Sequence, residues 1–217
     1  MKKFILLTSI PVILFSCKKE HNDPAPVVTP DGPEAFYKFS SNYNDETGKS
    51  TATTFGTTSF GTDRKGNASS ALQLDGGSKL TIENVLQKKN SSLSVWIAKG
   101  EMNVGIRYFI AGGPLAFDQN GQQVNGVVSV GPTNSVISDC PDLNWHHYAL
   151  LYDGTDITLY KDGVLAGVTN HPGTINESLK TVILGFWNGT YWKGKIDDMR
   201  FYSRLLTADE INQLSKE

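Results

Sequence analysis

Cysteine is almost missing from this sequence: 217 residues hold two, Cys17 and Cys140. No disulfide framework can carry such a chain, so its fold has to rest on an apolar core. An excess of charge of either sign is missing as well. Twenty Lys and Arg face 22 Asp and Glu, a formal net charge of −2, which excludes the basic signature of a nucleic-acid binder. The one long apolar run, residues 4–15, is interrupted by Thr8, Ser9 and Pro11. It falls short of the roughly 20 residues that a membrane-spanning helix needs. No internal repeat of fixed period is present. There is also no His-Glu-x-x-His zinc helix, no phosphate-cradling glycine loop and no nucleophile elbow.

What is there begins with the first segment. Lys2 and Lys3 precede the apolar run, in the order of a charged n-region and an h-region of an export signal. Leu14-Phe15-Ser16-Cys17 follows at once. It resembles a bacterial lipobox, with Leu three positions before the Cys and a small residue just before it. The resemblance implies cleavage after residue 16 and a lipid on Cys17; an ordinary signal peptide with a chance Cys is the alternative. Each buried CH₂ of such a lipid contributes about 0.8 kcal/mol, so several acyl chains hold a domain on a membrane. Lys18 stands where an Asp would suggest retention at the inner membrane, so the expected location is the outer membrane or cell surface. Lys18-Lys19-Glu20 resembles the charged export tags of surface-displayed lipoproteins and reads equally well as a solvated tether. Cleavage removes two lysines and no acid, leaving 18 basic against 22 acidic residues.

Residues 17–33 form the expected tether. Pro24, Pro26, Pro30 and Pro33 fall within ten residues and no apolar period runs through them. Such a semi-extended stretch reaches on the order of 50 Å at ~3.1 Å per residue. Residues 34–217 are the expected domain, long enough to bury about 70% of their unfolded surface.

Within that domain the pattern is β. Leu93, Val95 and Ile97 alternate with Ser94 and Trp96, and Tyr148, Leu150 and Tyr152 repeat the period. Asn120-Gly121, Asp153-Gly154 and Asp162-Gly163 supply the positive φ of tight hairpins, and the last two frame a strand from Asp156 to Lys161. The fold class this predicts is an all-β, two-sheet antiparallel jelly-roll sandwich with one short C-terminal helix. That helix begins at Thr207-Ala208-Asp209-Glu210, a capping box, with Leu206 and Ile211 as a hydrophobic staple. It is expected at the sandwich edge, shielding strand ends.

The closing run Gly194-Lys195-Ile196-Asp197-Asp198-Met199-Arg200-Phe201-Tyr202-Ser203-Arg204, with the capped helix after it, resembles the end of laminin G-like domains of the concanavalin A-like lectin/glucanase superfamily. The segments around Asn44-Asp45-Glu46-Thr47-Gly48, Asp63-Arg64-Lys65-Gly66, Ala71 to Gly76, Ser94-Val95-Trp96, Trp145-His146-His147-Tyr148 and Leu159 to Gly163 agree in order. The resemblance covers essentially residues 34–217, with Met102 to Asp139 departing freely. It implies a jelly roll, core positions for Trp96, Trp145, Trp192, His146 and His147, and relatives that bind glycans, bind proteins or hydrolyse polysaccharides. Fold alone does not choose among these.

A retaining hydrolase needs two carboxylates about 5 Å apart on one face. Period-two spacing of acids is absent: Glu83, Glu101 and Glu177 are isolated, and adjacent Asp197 and Asp198 should point to opposite faces. The expectation is therefore no catalytic residue. Two candidate sites remain. In Gly185 to Trp192, Trp187 and Tyr191 flank a turn at Asn188-Gly189 and offer aromatic faces and an amide to a glycan, or simply form a cross-strand pair worth about 0.2–1 kcal/mol. Asp197, expected on the core face with Met199 and Phe201, needs a partner there. A structural calcium shared with Asp45 is one answer; an amide cage or an ion pair, with Arg64 as a possible cation, is another. Cys140 reads as a small buried apolar group. The functional expectation is a non-catalytic, membrane-anchored module binding glycans or mediating adhesion. A scaffolding subunit that binds a surface protein is the alternative, and a divergent hydrolase the third reading.

Overall fold

The computed structural model describes residues 31–130 and 134–217. The expected signal peptide, the Cys17 anchor and nearly all of the tether lie outside the described residues.

Alternating side chains and glycine-marked turns become strands throughout. In chain order they are β1 (Ala35–Tyr37), β2 (Thr51–Phe55), β3 (Ser59–Gly61), β4 (Ala71–Asp75), β5 (Lys79–Glu83), β6 (Ser91–Lys99), β7 (Arg107–Ala111), β8 (Leu115–Asn120) and β9 (Gln123–Val128). Then follow β10 (Asn134–Asp139), β11 (Trp145–Tyr152), β12 (Asp156–Lys161), β13 (Val164–Asn170), β14 (Val182–Leu184), β15 (Phe186–Trp187), β16 (Thr190–Tyr191), β17 (Lys193–Tyr202) and the helix α1 (Ala208–Leu214). One sheet runs β13-β12-β11-β6-β17-β4-β3, with β1 also paired to β17; the other runs β10-β9-β8-β7-β14-β5-β2. All pairings among the described strands are antiparallel, as a jelly roll requires.

The two sheets bury one shared core. Leu93, Val95, Ile97, Tyr148 and Leu150 of the first sheet meet Phe109, Phe117, Val124, Val128 and Leu184 of the second. Each such side chain contributes about 1.5–3 kcal/mol on burial. Trp192 sits at the centre, 5.3 Å from the Phe109 ring, and its indole N–H donates to Gln119 Oε1 at 2.9 Å, so the one polar atom of this buried ring is satisfied. Gly194 is required beside it: a Cβ there would stand 2.2 Å from the Trp192 ring.

The hairpin dipeptides behave as their sequence dictates. Asp162 and Gly163, at φ 50° and 80°, close β12 onto β13. The expected strand from Asp156 to Lys161 is β12 itself.

Two expectations are corrected. The capping box forms, with Thr207 Oγ1 accepting from the Glu210 amide, but α1 does not cover strand ends. Ile211 and Leu214 pack with Leu206 on Ala149, Leu151 and Tyr202, so the helix lies against the outer face of the eight-stranded sheet. That face is itself apolar on alternate residues and would otherwise meet water. The second correction concerns β17. Its register against β6 shifts between Asp197 and Arg200, and Asp198 adopts a φ of 44°. This bulge inserts one residue. Ile196 and Met199 both face the core across it, so Asp197 leaves the core face, and the two acids turn to the same side instead of opposite ones.

Candidate functional site

Strand parity places the candidate surface on the outer face of the seven-stranded sheet. Leu115, Phe117, Val124, Val128 and Val136 point into the core, so the residues between them point out. The register pairs Tyr108 with Asp118, Asp118 with Asn125 and Asn125 with Ile137, a row crossing β7, β8, β9 and β10. The row is continued by the β15–β16 ribbon, where the exposed Trp187 ring lies 6.3 Å from Tyr108. Ile106, Tyr108, Trp187, Asn188 and Thr190 line a shallow depression of about 320 Å³ there.

The ribbon corrects the expected site. Asn188 and Gly189 form the turn, at φ 46° and 79°, and this two-residue loop pairs Phe186 with Tyr191 and Trp187 with Thr190. Tyr191 therefore faces away from Trp187. It packs on Phe186 at 4.6 Å, while Lys79 sits 4.8 Å above the Phe186 ring. Trp187 and Asn188 remain on the candidate surface; Tyr191 is a brace for the ribbon that carries them.

Sequence reading missed the polar part of the row. Asp118 and Asn125 are buried on the outer face, and the Asn125 amide donates to Asp118 Oδ1 at 2.8 Å. Burial pushes the Asp118 carboxyl up to about 6, against that hydrogen bond. The Asn125 side-chain carbonyl oxygen is buried without a hydrogen-bond partner among the described residues, a costly state for a polar group unless a ligand or water completes it. No spacing signal marks this pair, because its members sit on two strands and meet only through their register.

The expected calcium pair is not assembled. Both Asp45 oxygens are occupied by protein donors: Oδ1 accepts from the Phe36 and Thr47 amides, and Oδ2 from the Lys49 and Ser50 amides and the Thr47 and Ser50 hydroxyls, at 2.7–3.0 Å. Burial pushes this carboxyl up, but the hydrogen bonds prevail and hold it below its ordinary value. Asp197 meets a cation of the protein's own. Arg64 Nη1 contacts Asp197 at 2.5 Å and Nη2 contacts Asp198 at 2.6 Å, with the guanidinium 4.6 Å above the Trp96 ring. Burial and the neighbouring Asp198 charge push Asp197 up to about 7, opposed by Arg64. The two carboxylates line separate depressions. A calcium needs six to eight free oxygens, and these donor-saturated carboxylates do not fit one. The amide cage holds Asp45 and the ion pair holds Asp197.

The histidines divide. His147 is fully buried, bonded to Ser94 Oγ at 2.9 Å, and burial pushes it down to about 3, so it stays neutral. His146 is not core. It stands at the rim with Nδ1 2.7 Å from Asp162 and Nε2 3.1 Å from Asp142. Trp145 also leaves the core and, with Leu143, Lys99, Lys193 and Lys195, lines a surface depression of about 350 Å³.

Residues 73–212 match the family described as the concanavalin A-like lectin/glucanases superfamily, laminin G type. No curated protein matches the sequence. Among solved structures, domain 4 of AbnA, an extracellular arabinanase from Geobacillus stearothermophilus determined with arabinotriose, is 22% identical, covering 85% of this chain and 98% of its own at a TM-score of 0.71. The binding domain of botulinum neurotoxin serotype D is 14% identical with a TM-score of 0.69, over 85% of this chain and 51% of the toxin domain. A structure of botulinum neurotoxin type C, whose cell entry depends on interaction with two ganglioside molecules, is 12% identical with a TM-score of 0.69, over 85% of this chain and 51% of its own. These likenesses are of fold, and the chain spans about half the length of the toxin structures. With the family match extending over most of the two sheets, the chain belongs to the concanavalin A-like lectin/glucanase superfamily.

Proposed function

We propose that this domain binds uncharged glycans without cleaving them, on the outer face of the seven-stranded sheet, and that a lipid on Cys17 holds it at the outer membrane or cell surface. The observation that carries the reading is the row itself: an exposed Trp187 ring against Tyr108, leading to Asp118 and the unpartnered carbonyl of Asn125. A sugar presents C–H faces that stack on aromatic rings and hydroxyls that bond planar polar groups. Trp187 and Tyr108 supply the first; Asn125, Asp118 and Asn188 supply the second. A carboxylate in the row disfavours anionic sugars by like-charge repulsion. Asp118 is the one carboxylate in that row, where a retaining hydrolase needs two about 5 Å apart, and this supports binding over hydrolysis. The arabinotriose bound to the arabinanase domain is an uncharged glycan on a similar fold.

One or two stacked rings support weak binding, around millimolar, or −4.1 kcal/mol. Many copies on one membrane raise the avidity. The test is a glycan array with the full chain. Trp187→Ala should abolish binding and leave the melting temperature nearly unchanged. Tyr191→Ala, on the opposite face of the ribbon, should weaken the fold locally and affect binding less. Binding that survives Trp187→Ala would refute the site.

A second reading has its own observation. β13 is the outermost strand of its sheet and exposes Val164, Leu165 and Val168. An apolar edge of this kind suits strand addition by a partner protein. A blank array together with a co-purifying envelope protein lost on Val168→Lys would favour it.

A further inference from the structure

The rim of the sandwich below β11 gathers three side chains of metal-binding type that neither the glycan row nor the ion-pair cluster uses. Cys140 follows β10, Asp142 lies in the loop after it, and His146 is the second residue of β11. The Cys140 sulfur, an Asp142 carboxylate oxygen and a His146 ring nitrogen all lie within 4.8 Å of one another. Cys140 is buried, and Asp142 lies on the solvent side of the group. Two further observations separate this group from a chance surface cluster.

The first is the partner of the histidine. Asp162 Oδ2 takes His146 Nδ1 at 2.7 Å, leaving Nε2 toward Asp142. Asp162 is itself fixed, because its Oδ1 accepts from the His147 amide at 2.9 Å and its own amide donates to the His147 carbonyl at 2.8 Å. A carboxylate on the far nitrogen sets the tautomer and the basicity that a metal-bound imidazole requires. The second is Tyr148. Its side chain is fully buried, its hydroxyl has no hydrogen bond of normal geometry among the described residues, and its ring stands 6.5 Å from that of His146. The Cys140 sulfur is the side chain within reach of this hydroxyl. A thiolate at Cys140 would accept from that hydroxyl and remove a buried unpaired donor.

We propose that Cys140, Asp142 and His146 bind a zinc-type divalent ion, with Asp162 orienting the histidine and the Tyr148 hydroxyl supporting the thiolate. Sulfur, imidazole and one carboxylate select a borderline-soft ion over calcium. Zinc sits 2.0–2.3 Å from such ligands, so the three groups close in by small side-chain movements of a loop and a strand end. Binding displaces two protons to solvent, the thiol proton of Cys140 and the Nε2 proton that His146 directs at Asp142, and the fourth position stays open to water. The charges around it nearly balance: Lys99 donates to the Cys140 carbonyl and Lys161 to the Asp139 carbonyl, facing the Asp142 and Asp162 carboxylates. The site would lock the β10–β11 loop to the β12–β13 hairpin, which carries Asp162.

The experiment uses the purified full chain, freed of metal. Cobalt(II) is titrated while sulfur-to-metal charge-transfer absorption is followed, and zinc is then added in competition. The expected result is one ion per chain, a charge-transfer band that zinc abolishes, and a higher melting temperature with zinc than with calcium. Cys140→Ser should remove the band, and His146→Gln should abolish tight binding. Asp162→Asn should weaken binding by about 10–100-fold with the band retained. If Cys140→Ser does not fold, His146→Gln and Asp162→Asn still decide. Absence of the band in the wild type, or zinc affinity unchanged in His146→Gln, would overturn the proposal and leave the group as a histidine bridging two carboxylates.

Discussion

Replacing Arg64 with Met tests the bulge reading at the point where it carries most free energy. Met keeps an unbranched apolar stem over Trp96 and removes the guanidinium that contacts Asp197 at 2.5 Å and Asp198 at 2.6 Å. The side chains of Arg64 and Asp197 are 8% and 4% exposed, so water replaces little of the lost interaction. Removing one partner of such a buried pair costs about 3–5 kcal/mol, because a charge is left uncompensated. A fold of this size loses roughly 2–4 °C per kcal/mol, so the melting temperature should fall by roughly 6–20 °C. The loss should also depend on pH. Asp197 in the folded protein is already raised to about 7 by burial and by Asp198, and without Arg64 it rises further. Its protonation removes the unpaired charge, so the penalty is largest near pH 8 and shrinks as pH falls toward 5. Thermal or urea unfolding of both proteins at the two pH values measures this. A loss below about 1 kcal/mol, or one equal at pH 8 and pH 5, would show that the two acids do not depend on Arg64.

Asp118 titrates in the opposite sense to an ordinary ion-paired acid. Burial raises it from 3.8 to about 6 in the folded state, so stability that is full at acid pH is lost as pH rises through that window, by at most about 3 kcal/mol at 1.36 kcal/mol per unit. Asp118→Asn should therefore gain on the wild type between pH 4 and 7 and hold a constant advantage above; a pH-independent difference in unfolding free energy would contradict the buried placement. Cys17→Ala should move the protein from the membrane to the soluble fraction and abolish incorporation of labelled acyl chains, and a mutant still acylated and membrane-bound would end the lipid-anchor proposal.

Much of the fold is legible because it depends on one local rule. Period-two alternation with Asp-Gly and Asn-Gly turns sets the strands, and Asp162-Gly163 fixes the β12–β13 hairpin without reference to anything distant. The site is less legible because it depends on parity and on partners. The same turn logic, applied to Asn188-Gly189, already pairs Trp187 with Thr190 and Phe186 with Tyr191, so the opposite orientation of Trp187 and Tyr191 is present in the sequence once the loop is counted as two residues. Asp197 was different. Strict alternation predicts it on the core face and Asp198 on the other, and the inserted residue of the bulge, which no composition signal announces, moves Asp197 to the side that Asp198 occupies. Asp118 and Asn125 stand seven residues apart on two strands and meet only through the β8–β9 register. Tyr108 joins them through β7, across a second bulge.

These failures share a physical cause that bears on function. The displaced expectations for Asp197, Tyr191, Trp145 and His146 lie at a bulge, a ribbon or a strand end, where the repeating sheet gives way and side chains are re-aimed. In the core, Trp192, Phe109, Phe117 and Gly194 interlock at contact distance. Polar groups that a core would exclude are gathered on the outer row, where the β8–β9 register pairs Asp118 with Asn125, and at the Arg64 cluster and the rim below β11, where regular pairing ends. The sandwich holds each set in place, so the proposed ligand surface on one sheet, the buried ion pair under the bulge and the proposed metal site at the rim do not compete for the same core.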